Sequence, residues 1–266
     1  MDNKMQCKTA RSSWSNPILT CFESPSSDDK IWKIYLIQKG LLVDNSFRAE
    51  IKVLSVFDFD GTLTRHDSFI PFLRFAFGNS VFTRRLVKLA LPTLRCLSRK
   101  LTRDELKEIL ISTFLTGIEE KWVKEKAEAY CNLYWGRLMR ASGLLAVATE
   151  VSNNVEVTLC SASPRLVLAP FAERLGIKLI GTELESVNGI LTGRITGHNC
   201  RCIQKINRLE SIYGPLDQYH LRAWGDTRGD YELLAAAKDA HWRHFHPRWD
   251  RKKAFIHRLK KESFRV

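Results

Sequence analysis

The sequence predicts an α/β fold, in which a doubly wound parallel sheet carries an inserted all-helical cap. The segment Ile51–Phe57 is rich in β-branched and apolar residues, which is typical of a strand buried on both faces. A long helical pattern from Phe69 to Ala148 follows it. From Val155 onwards strand and helix patterns alternate, which favours a parallel sheet with helices on both faces.

Local signals support the individual elements. Thr102 and Glu105 form a capping-box pattern that predicts a helix start within the helical region. Ser163-Pro164 predicts the N-cap and first position of a helix that ends at Gly176, after a strand at 155–160. Asn188-Gly189 predicts a tight hairpin between strands 182–187 and 190–195. The remaining predicted elements are strands at 177–180, 221–224 and 241–245, and helices at 203–213 and 231–238.

The 266 residues divide into four predicted segments. Residues 1–50 form a Ser-rich extension that we expect to be poorly ordered. Residues 51–66 and 149–250 form the core, residues 67–148 the helical cap, and residues 251–266 a basic tail.

The composition limits the classes of partner and location. Lys and Arg number 42 against 29 Asp and Glu, a net charge of +13, which favours an anionic partner such as a phosphorylated metabolite, a phospholipid head group or nucleic acid. Because no nucleic-acid-binding motif accompanies this charge, we expect no specific nucleic acid. The seven cysteines favour free thiols in a reducing compartment. With no 18-residue apolar run and no apolar leader, we expect a cytoplasmic protein.

One stretch of the cap has an unusual charge pattern. Ser68 to Arg103 contains eight Lys and Arg, no Asp or Glu, and many interleaved Phe and Leu residues. One interpretation is peripheral contact with an anionic membrane, at its inner face. The other, which we favour from sequence, is a pair of cap helices with a solvated basic face.

Polar clusters follow three predicted strands. Asp58 and Asp60 come directly after the first, Ser161 after the second, and Asp226 and Asp230 after a later one. The carboxyl ends of parallel strands are where ligands bind in such sheets. Paired carboxylates need a compensating cation or a shared proton, and Mg²⁺ is the hard divalent ion that such oxygen ligands suit. With Ser161 and Lys205 as partners for a phosphate, the set predicts phosphoryl transfer.

These motifs resemble those of the haloacid-dehalogenase-like hydrolases. VFDFDGTLT (56–64) resembles the first motif, TLCSASP with Ser161 the second, Lys205 the third and GDTRGDYELL (225–234) the fourth. The helical insertion is similar to the cap of subfamily IB, which includes phosphoserine phosphatases and a phosphatidylglycerophosphatase. The resemblance spans residues 53–245 and implies a Rossmann-like core.

The resemblance also implies a role for each residue. Asp58 would be the nucleophile and a Mg²⁺ ligand, and Asp60 the general acid and base, with its backbone carbonyl on the metal. Ser161 and Lys205 would hold phosphoryl oxygens. Asp226 would bind Mg²⁺, and Asp230 would bind it through water or position Lys205. The residues themselves offer another role for Asp230, which is to cap the helix that starts at Tyr231.

Two positions bear on the substrate. Asp67 lies near the place where relatives carry a substrate-recognising acid, and its alternative role is a helix N-cap. Relatives that are phosphoserine phosphatases tend to have Asn where this chain has Gly229, which disfavours phosphoserine itself.

The resulting expectation is a Mg²⁺-dependent phosphatase that hydrolyses a phosphomonoester through an aspartyl-phosphate. Its substrate would be a small phosphorylated molecule or a phospholipid head group. The alternatives are phosphotransfer to an acceptor other than water, and a basic anion- or membrane-binding protein on a hydrolase scaffold.

Overall fold

The computed structural model describes residues 52–98 and 100–246. The predicted extension at 1–50 and basic tail at 251–266 lie outside these residues. The strands are β1 Val53–Phe57, β2 Glu156–Pro164, β3 Lys178–Thr182, β4 Leu184–Val187, β5 Ile190–Ile195, β6 His220–Gly225 and β7 Asp239–Trp242. The helices are α1 Phe69–Lys88, α2 Ala90–Leu97, α3 Arg103–Leu115, α4 Glu120–Leu138, α5 Ala141–Ser152, α6 Arg165–Leu175, α7 Ile203–Tyr213 and α8 Tyr231–Ala236.

In the described part of the chain, five strands form one sheet in the order β3-β2-β1-β6-β7, and every neighbouring pair is parallel. Hydrophobic clusters cover both faces of this sheet. Leu54 and Val56 of β1 pack with α7 and α8, whereas Phe57 packs with α6 and the helices between β1 and β2. The burial of both faces explains why β1 is apolar almost throughout. The predicted doubly wound fold with additional helices is confirmed.

The helices between β1 and β2 share an aromatic contact with the core. Phe171 of α6 lies against Trp135 and Tyr130 of α4, with ring centroids 6.0 Å and 6.2 Å apart. Phe59, just after β1, meets the same ring at 5.1 Å. The cap boundaries stay a prediction, and residue 148 lies within α5, which ends only at Ser152.

Several local predictions are confirmed. Thr102 and Glu105 form the capping box at the start of α3. Gly176 ends α6 with a φ of +66°. Asn188 and Gly189 both have positive φ, at 51° and 78°, as a type I′ hairpin turn between β4 and β5 requires.

Several predicted boundaries differ from those of the structure, and two of the differences have a clear physical cause. Ser163 does not cap a helix, because β2 extends to Pro164, whose partner in β3 is Thr182, and α6 begins at Arg165. The last strand is Asp239–Trp242 rather than 241–245. It ends early because Arg243 has a φ of +49°, outside the extended region.

Candidate active site

Three neighbouring strands bring the predicted polar residues to one edge of the sheet. Asp58 follows β1, and its backbone N–H still bonds to the Trp224 carbonyl of β6 at 2.9 Å. Ser161 lies near the end of β2, and Asp226 follows β6. Because β1 pairs with both β2 and β6, the three residues meet at the carboxyl ends of the strands.

Lys205 of α7 is the centre of a buried charge cluster. Its Nζ donates hydrogen bonds to Asp58 Oδ1, Asp230 Oδ1 and the Cys160 carbonyl, each at 2.6 Å. Its side chain is almost fully buried. Burial by itself would lower the pKa of Lys205, but the Asp230 and Asp58 carboxylates outweigh it and hold the pKa well above its ordinary value. The lysine therefore stays charged.

Three carboxylates lie close enough to share one cation. Oxygen atoms of Asp58, Asp226 and Asp230 lie within 4.8 Å of one another. Burial, followed by repulsion from Asp230, raises the pKa of Asp58 well above its ordinary value, and the same two causes raise the pKa of Asp226 to about 6. Lys205 compensates only part of this negative charge. The hard oxygen donors and the uncompensated charge fit Mg²⁺.

Gly61 gives the cluster its close approach to the backbone. It has a φ of +81°, and a Cβ built there would lie 2.3 Å from Asp226 Oδ2. Thr62 Oγ1 donates to the other oxygen of Asp226 at 3.3 Å. The Asp-Gly-Thr turn therefore lets the Asp226 carboxylate lie directly against the backbone of Gly61, and the Thr62 hydroxyl orients it.

Asp230 is held by several donors at once. Its Oδ2 accepts from the backbone N–H groups of Asp226 at 3.2 Å and Thr227 at 3.0 Å, and from the Thr227 hydroxyl at 3.0 Å. Its Oδ1 accepts from Lys205. Because the carboxylate points back to Thr227, it makes no side-chain cap on α8, which begins at Tyr231. Of the predicted alternatives, the contacts observed are those that position Lys205.

Asp60 has different hydrogen-bond partners from these three acids. Its Oδ2 accepts a hydrogen bond of 2.5 Å from the Ser163 hydroxyl, and its Oδ1 accepts one of 2.7 Å from the Ser68 N–H. The Ser163 N–H in turn donates to Ser161 Oγ at 3.1 Å. Asp58 and Asp60, although two positions apart, have different partners, which suits a nucleophile beside an acid–base group.

Asp67 makes the contact that its alternative role predicts. Its Oδ2 accepts from the Ile70 N–H at 2.9 Å, at the start of α1. This is a helix-capping bond. A part in substrate recognition stays a prediction.

Sequence reasoning missed Lys107 of α3. Its Nζ donates to Asn199 Oδ1 at 2.6 Å and to the carbonyl of Ala162, the residue between Ser161 and Ser163. Asp104, one turn earlier, accepts from Asn199 Nδ2 at 2.6 Å. Burial lowers the pKa of Lys107 to about 8, although Asp60 opposes the shift. A lysine on an amphipathic helix resembles a solvated charge, so the sequence carried no signal for this contact.

His246 is a second residue that the sequence did not identify. Its Nε2 lies 2.8 Å from the Gly61 carbonyl and 3.9 Å from Asp226 Oδ2. It follows β7 at the far edge of the sheet. The three histidines at 241, 244 and 246 give no pattern that points to this placement.

The chain is similar to several known proteins. It is 34% identical over 212 residues to Protein CicA of Caulobacter vibrioides, which covers 78% of this chain and 94% of that protein. A protein of unknown function from Bordetella pertussis has a similar structure, with a TM-score of 0.60 and 22% identity over 70% of this chain and 87% of that one.

Two further solved structures share the fold. A probable phosphoserine phosphatase of Vibrio cholerae has a TM-score of 0.54 and 20% identity, and the match covers 75% of this chain and 59% of that one. A haloacid-dehalogenase family hydrolase of Salmonella enterica serovar Typhi has a TM-score of 0.55 and 15% identity, over 83% and 78% of the two chains. At these identities the similarity establishes the fold alone, and the predicted likeness to phosphoserine phosphatases is confirmed at that level.

A family model assigns the chain directly. The model for haloacid dehalogenase-like hydrolases matches residues 55–235, which include Asp58, Asp60, Ser161, Lys205, Asp226 and Asp230. The relationship expected from the four sequence motifs is therefore confirmed: the chain belongs to the haloacid dehalogenase-like hydrolase family.

Proposed function

We propose that this protein is a Mg²⁺-dependent phosphatase that hydrolyses a phosphomonoester through an aspartyl-phosphate on Asp58. One observation carries the proposal. Asp58 accepts a hydrogen bond from Lys205 and is clustered with two further acids, whereas Asp60 accepts hydrogen bonds from Ser163 and Ser68. Two carboxyl groups in such different settings suit the two different roles of the reaction.

In the first step an Asp58 oxygen attacks phosphorus, and the bond from phosphorus to the ester oxygen breaks. Asp60 gives its proton to that leaving oxygen. Ser161 and Lys205 hold phosphoryl oxygens, and Lys205 compensates negative charge with its buried ammonium. Ser163 keeps the Asp60 carboxyl in place.

In the second step Asp60 takes a proton from water, which attacks the phosphorus of the aspartyl-phosphate. Inorganic phosphate leaves and Asp58 is regenerated. Asp58 and Asp226, with the backbone carbonyl of Asp60, would hold Mg²⁺, and Asp230 would act on it through water or through Lys205. When bound, this ion supplies positive charge that offsets the carboxylates and the phosphoryl group.

We propose either a small phosphorylated molecule or a phospholipid head group as substrate, and the cytoplasm as location. Five cysteines in the described part of the chain are free thiols. Seven cysteines in a chain too large to need disulfides favour a reducing compartment, and the Sγ atoms of Cys160 and Cys200 lie 3.8 Å apart.

The test is phosphate release from a panel of phosphomonoesters with Mg²⁺ or with a chelator. The panel contains a chromogenic ester, phosphoserine, sugar phosphates, nucleotides and phosphatidylglycerophosphate. We expect release that requires Mg²⁺ and is abolished in Asp58→Asn. Asp217→Asn, an exposed aspartate away from the cluster, is the matched control and should retain full activity.

Product analysis separates the alternatives. Substrate consumption that exceeds phosphate release would indicate transfer to an acceptor other than water. Undiminished activity in Asp58→Asn would refute the aspartyl-phosphate. Folded protein that turns over none of these esters would favour the binding-protein alternative.

A further inference from the structure

The junction of α1 and α2 exposes an apolar stripe. Val87, Leu91 and Leu94 are 70%, 58% and 63% exposed. The backbone of Leu89, between the two helices, is helical, so the turn continues across the junction. At 3.6 residues per turn the three side chains lie on one side, and Leu89, which is buried, lies on the opposite side. The helix therefore presents one apolar side to the protein and a second to solvent.

Basic residues border the same stripe. Arg84, Lys88 and Arg95 are exposed and fall three or four positions from the apolar residues. Among the described residues none of the three has a carboxylate within ion-pair distance. Arg85 differs, because it donates to the Phe114 carbonyl at 2.6 Å and lies over the Phe77 ring. We call Arg84, Val87, Lys88, Leu91, Leu94 and Arg95 the α2 surface.

We propose that the α2 surface docks onto an anionic lipid bilayer. A helix of this kind lies in the plane of the interface, with its apolar side chains among the acyl chains and its Lys and Arg at the anionic head groups. Ser68 to Arg103 contains no acid that would oppose this contact. Among the described helices none is long and apolar enough to cross a membrane.

Other occupants fit less well. A second copy, paired about a twofold axis, would bring the same basic residues face to face. Residues 1–50 contain seven Lys and Arg against six Asp and Glu, a net charge of +1 that is not complementary to a basic surface. Nucleic acid would use the charges but leave the leucines in water. A bilayer with anionic head groups is complementary both to the basic residues and to the exposed leucines of this surface.

The surface is linked to the active site through α3. Residues 98–102 connect α2 to α3, and Lys107 of α3 contacts the core at Ala162, beside Ser161. Docking of the α2 surface would therefore hold α2, and with it the neighbouring α3 that contacts the core beside Ser161, at the membrane. The binding itself needs no catalysis, so it stands independently of the proposed phosphatase activity.

The test is flotation of the full chain with vesicles of phosphatidylcholine alone or with added phosphatidylglycerol, at low and high salt. We expect binding only to the anionic vesicles, and weaker binding at high salt. Each Lys or Arg near an anionic surface contributes about fivefold, so Arg84→Gln/Lys88→Gln/Arg95→Gln should weaken binding roughly a hundredfold. Leu91→Gln/Leu94→Gln should weaken it at least about tenfold.

Matched controls change the same residue types elsewhere. Lys121→Gln/Arg137→Gln/Arg194→Gln removes three exposed charges, and Leu133→Gln/Leu145→Gln two exposed leucines. Both should bind like the wild type, as should Asp58→Asn. The proposal would be overturned if the protein bound neutral and anionic vesicles equally, or if the α2-surface variants and the control variants lost the same amount of vesicle binding. A dimer of the wild type in light scattering would also overturn it, if the α2-surface variants dissociated that dimer but bound vesicles as the wild type does.

Discussion

The hydroxyl of Ser163 donates a hydrogen bond of 2.5 Å to Asp60 Oδ2, and it joins two segments 103 residues apart. The backbone N–H of the same serine donates to Ser161 Oγ. Ser163 therefore links the proposed acid–base group to a proposed phosphate-binding residue. It is a positioning residue, since it acts through both.

Ser163→Ala should lower kcat roughly 10- to 100-fold, with little change in KM. A hydrogen bond to a charged group contributes about 1.5–3 kcal/mol, and this one orients the group that moves the proton. The measurement is steady-state kinetics on the best ester of the panel. Ser152→Ala, which removes an exposed hydroxyl bonded to the Thr149 carbonyl, should leave kcat unchanged. An unchanged kcat in Ser163→Ala would show that Asp60 needs no such support.

Lys107→Met should lower kcat/KM about tenfold by removing the bonds that tie α3 to the core beside Ser161. The pKa of Lys107 is lowered to about 8. The ammonium is present below that pH and is lost as the pH rises through it, so the wild-type kcat/KM should fall above about pH 8. The variant should lack this decline.

The control for this prediction is Lys121→Met, on the exposed side of α4, which should keep the wild-type pH profile. Identical alkaline limbs in wild type and Lys107→Met would contradict the assignment of this limb to Lys107.

Gly61→Ala should raise the Mg²⁺ concentration needed for half-maximal activity by tenfold or more. The added Cβ would lie 2.3 Å from Asp226 Oδ2 and displace that carboxylate, and groups that orient a ligand typically contribute about 10- to 100-fold to metal affinity. The measurement is activity against Mg²⁺ concentration. The positive φ adds a loss of about 1–2 kcal/mol in the free energy of unfolding.

Gly176→Ala separates the two effects. Gly176 has a φ of +66°, and a Cβ there would meet nothing within 4 Å. It should show the same loss of stability with an unchanged Mg²⁺ requirement. An equal Mg²⁺ shift in both variants would assign the effect to backbone strain alone.

Local signals were sufficient where a few neighbouring residues determine the structure. The apolar β1, the Asn188-Gly189 turn and the Thr102–Glu105 capping box depend on short segments, and the sequence predicted each. The site acids were identified for a similar reason, because they follow strands whose patterns are clear.

Contacts between segments that are distant in sequence could not be predicted from local signals. Ser163-Pro164 has the local signature of a helix start, but pairing of Pro164 with Thr182 keeps both residues in β2. Lys107 becomes a buried contact only because α3 lies against residues 162 and 199. These outcomes depend on register and docking between distant segments, which no window of sequence contains.

The ring of His241 should make stability sensitive to acid. It stacks on Trp224 with centroids 4.5 Å apart, and Trp224 stacks on Phe57 at 4.1 Å. Burial, together with the nearby His244, lowers the pKa of His241 from 6.5 to about 4, although Asp239 and Glu150 oppose the shift. As the pH falls from about 6.5 to 4 the unfolded chain takes up a proton that the folded protein does not, so the free energy of unfolding should fall in this window.

His241→Phe should keep the stack and remove the titration. Urea unfolding between pH 8 and pH 4, compared with the wild type, should therefore show equal stability near the upper limit and a shallower decline below about pH 6.5. His198→Phe, at an exposed position, should retain the wild-type slope, so that a general effect of replacing histidine is excluded. If His241→Phe lost stability as steeply as the wild type, the acid sensitivity would have to originate in other groups, and the stack on Trp224 would tolerate a charged imidazole.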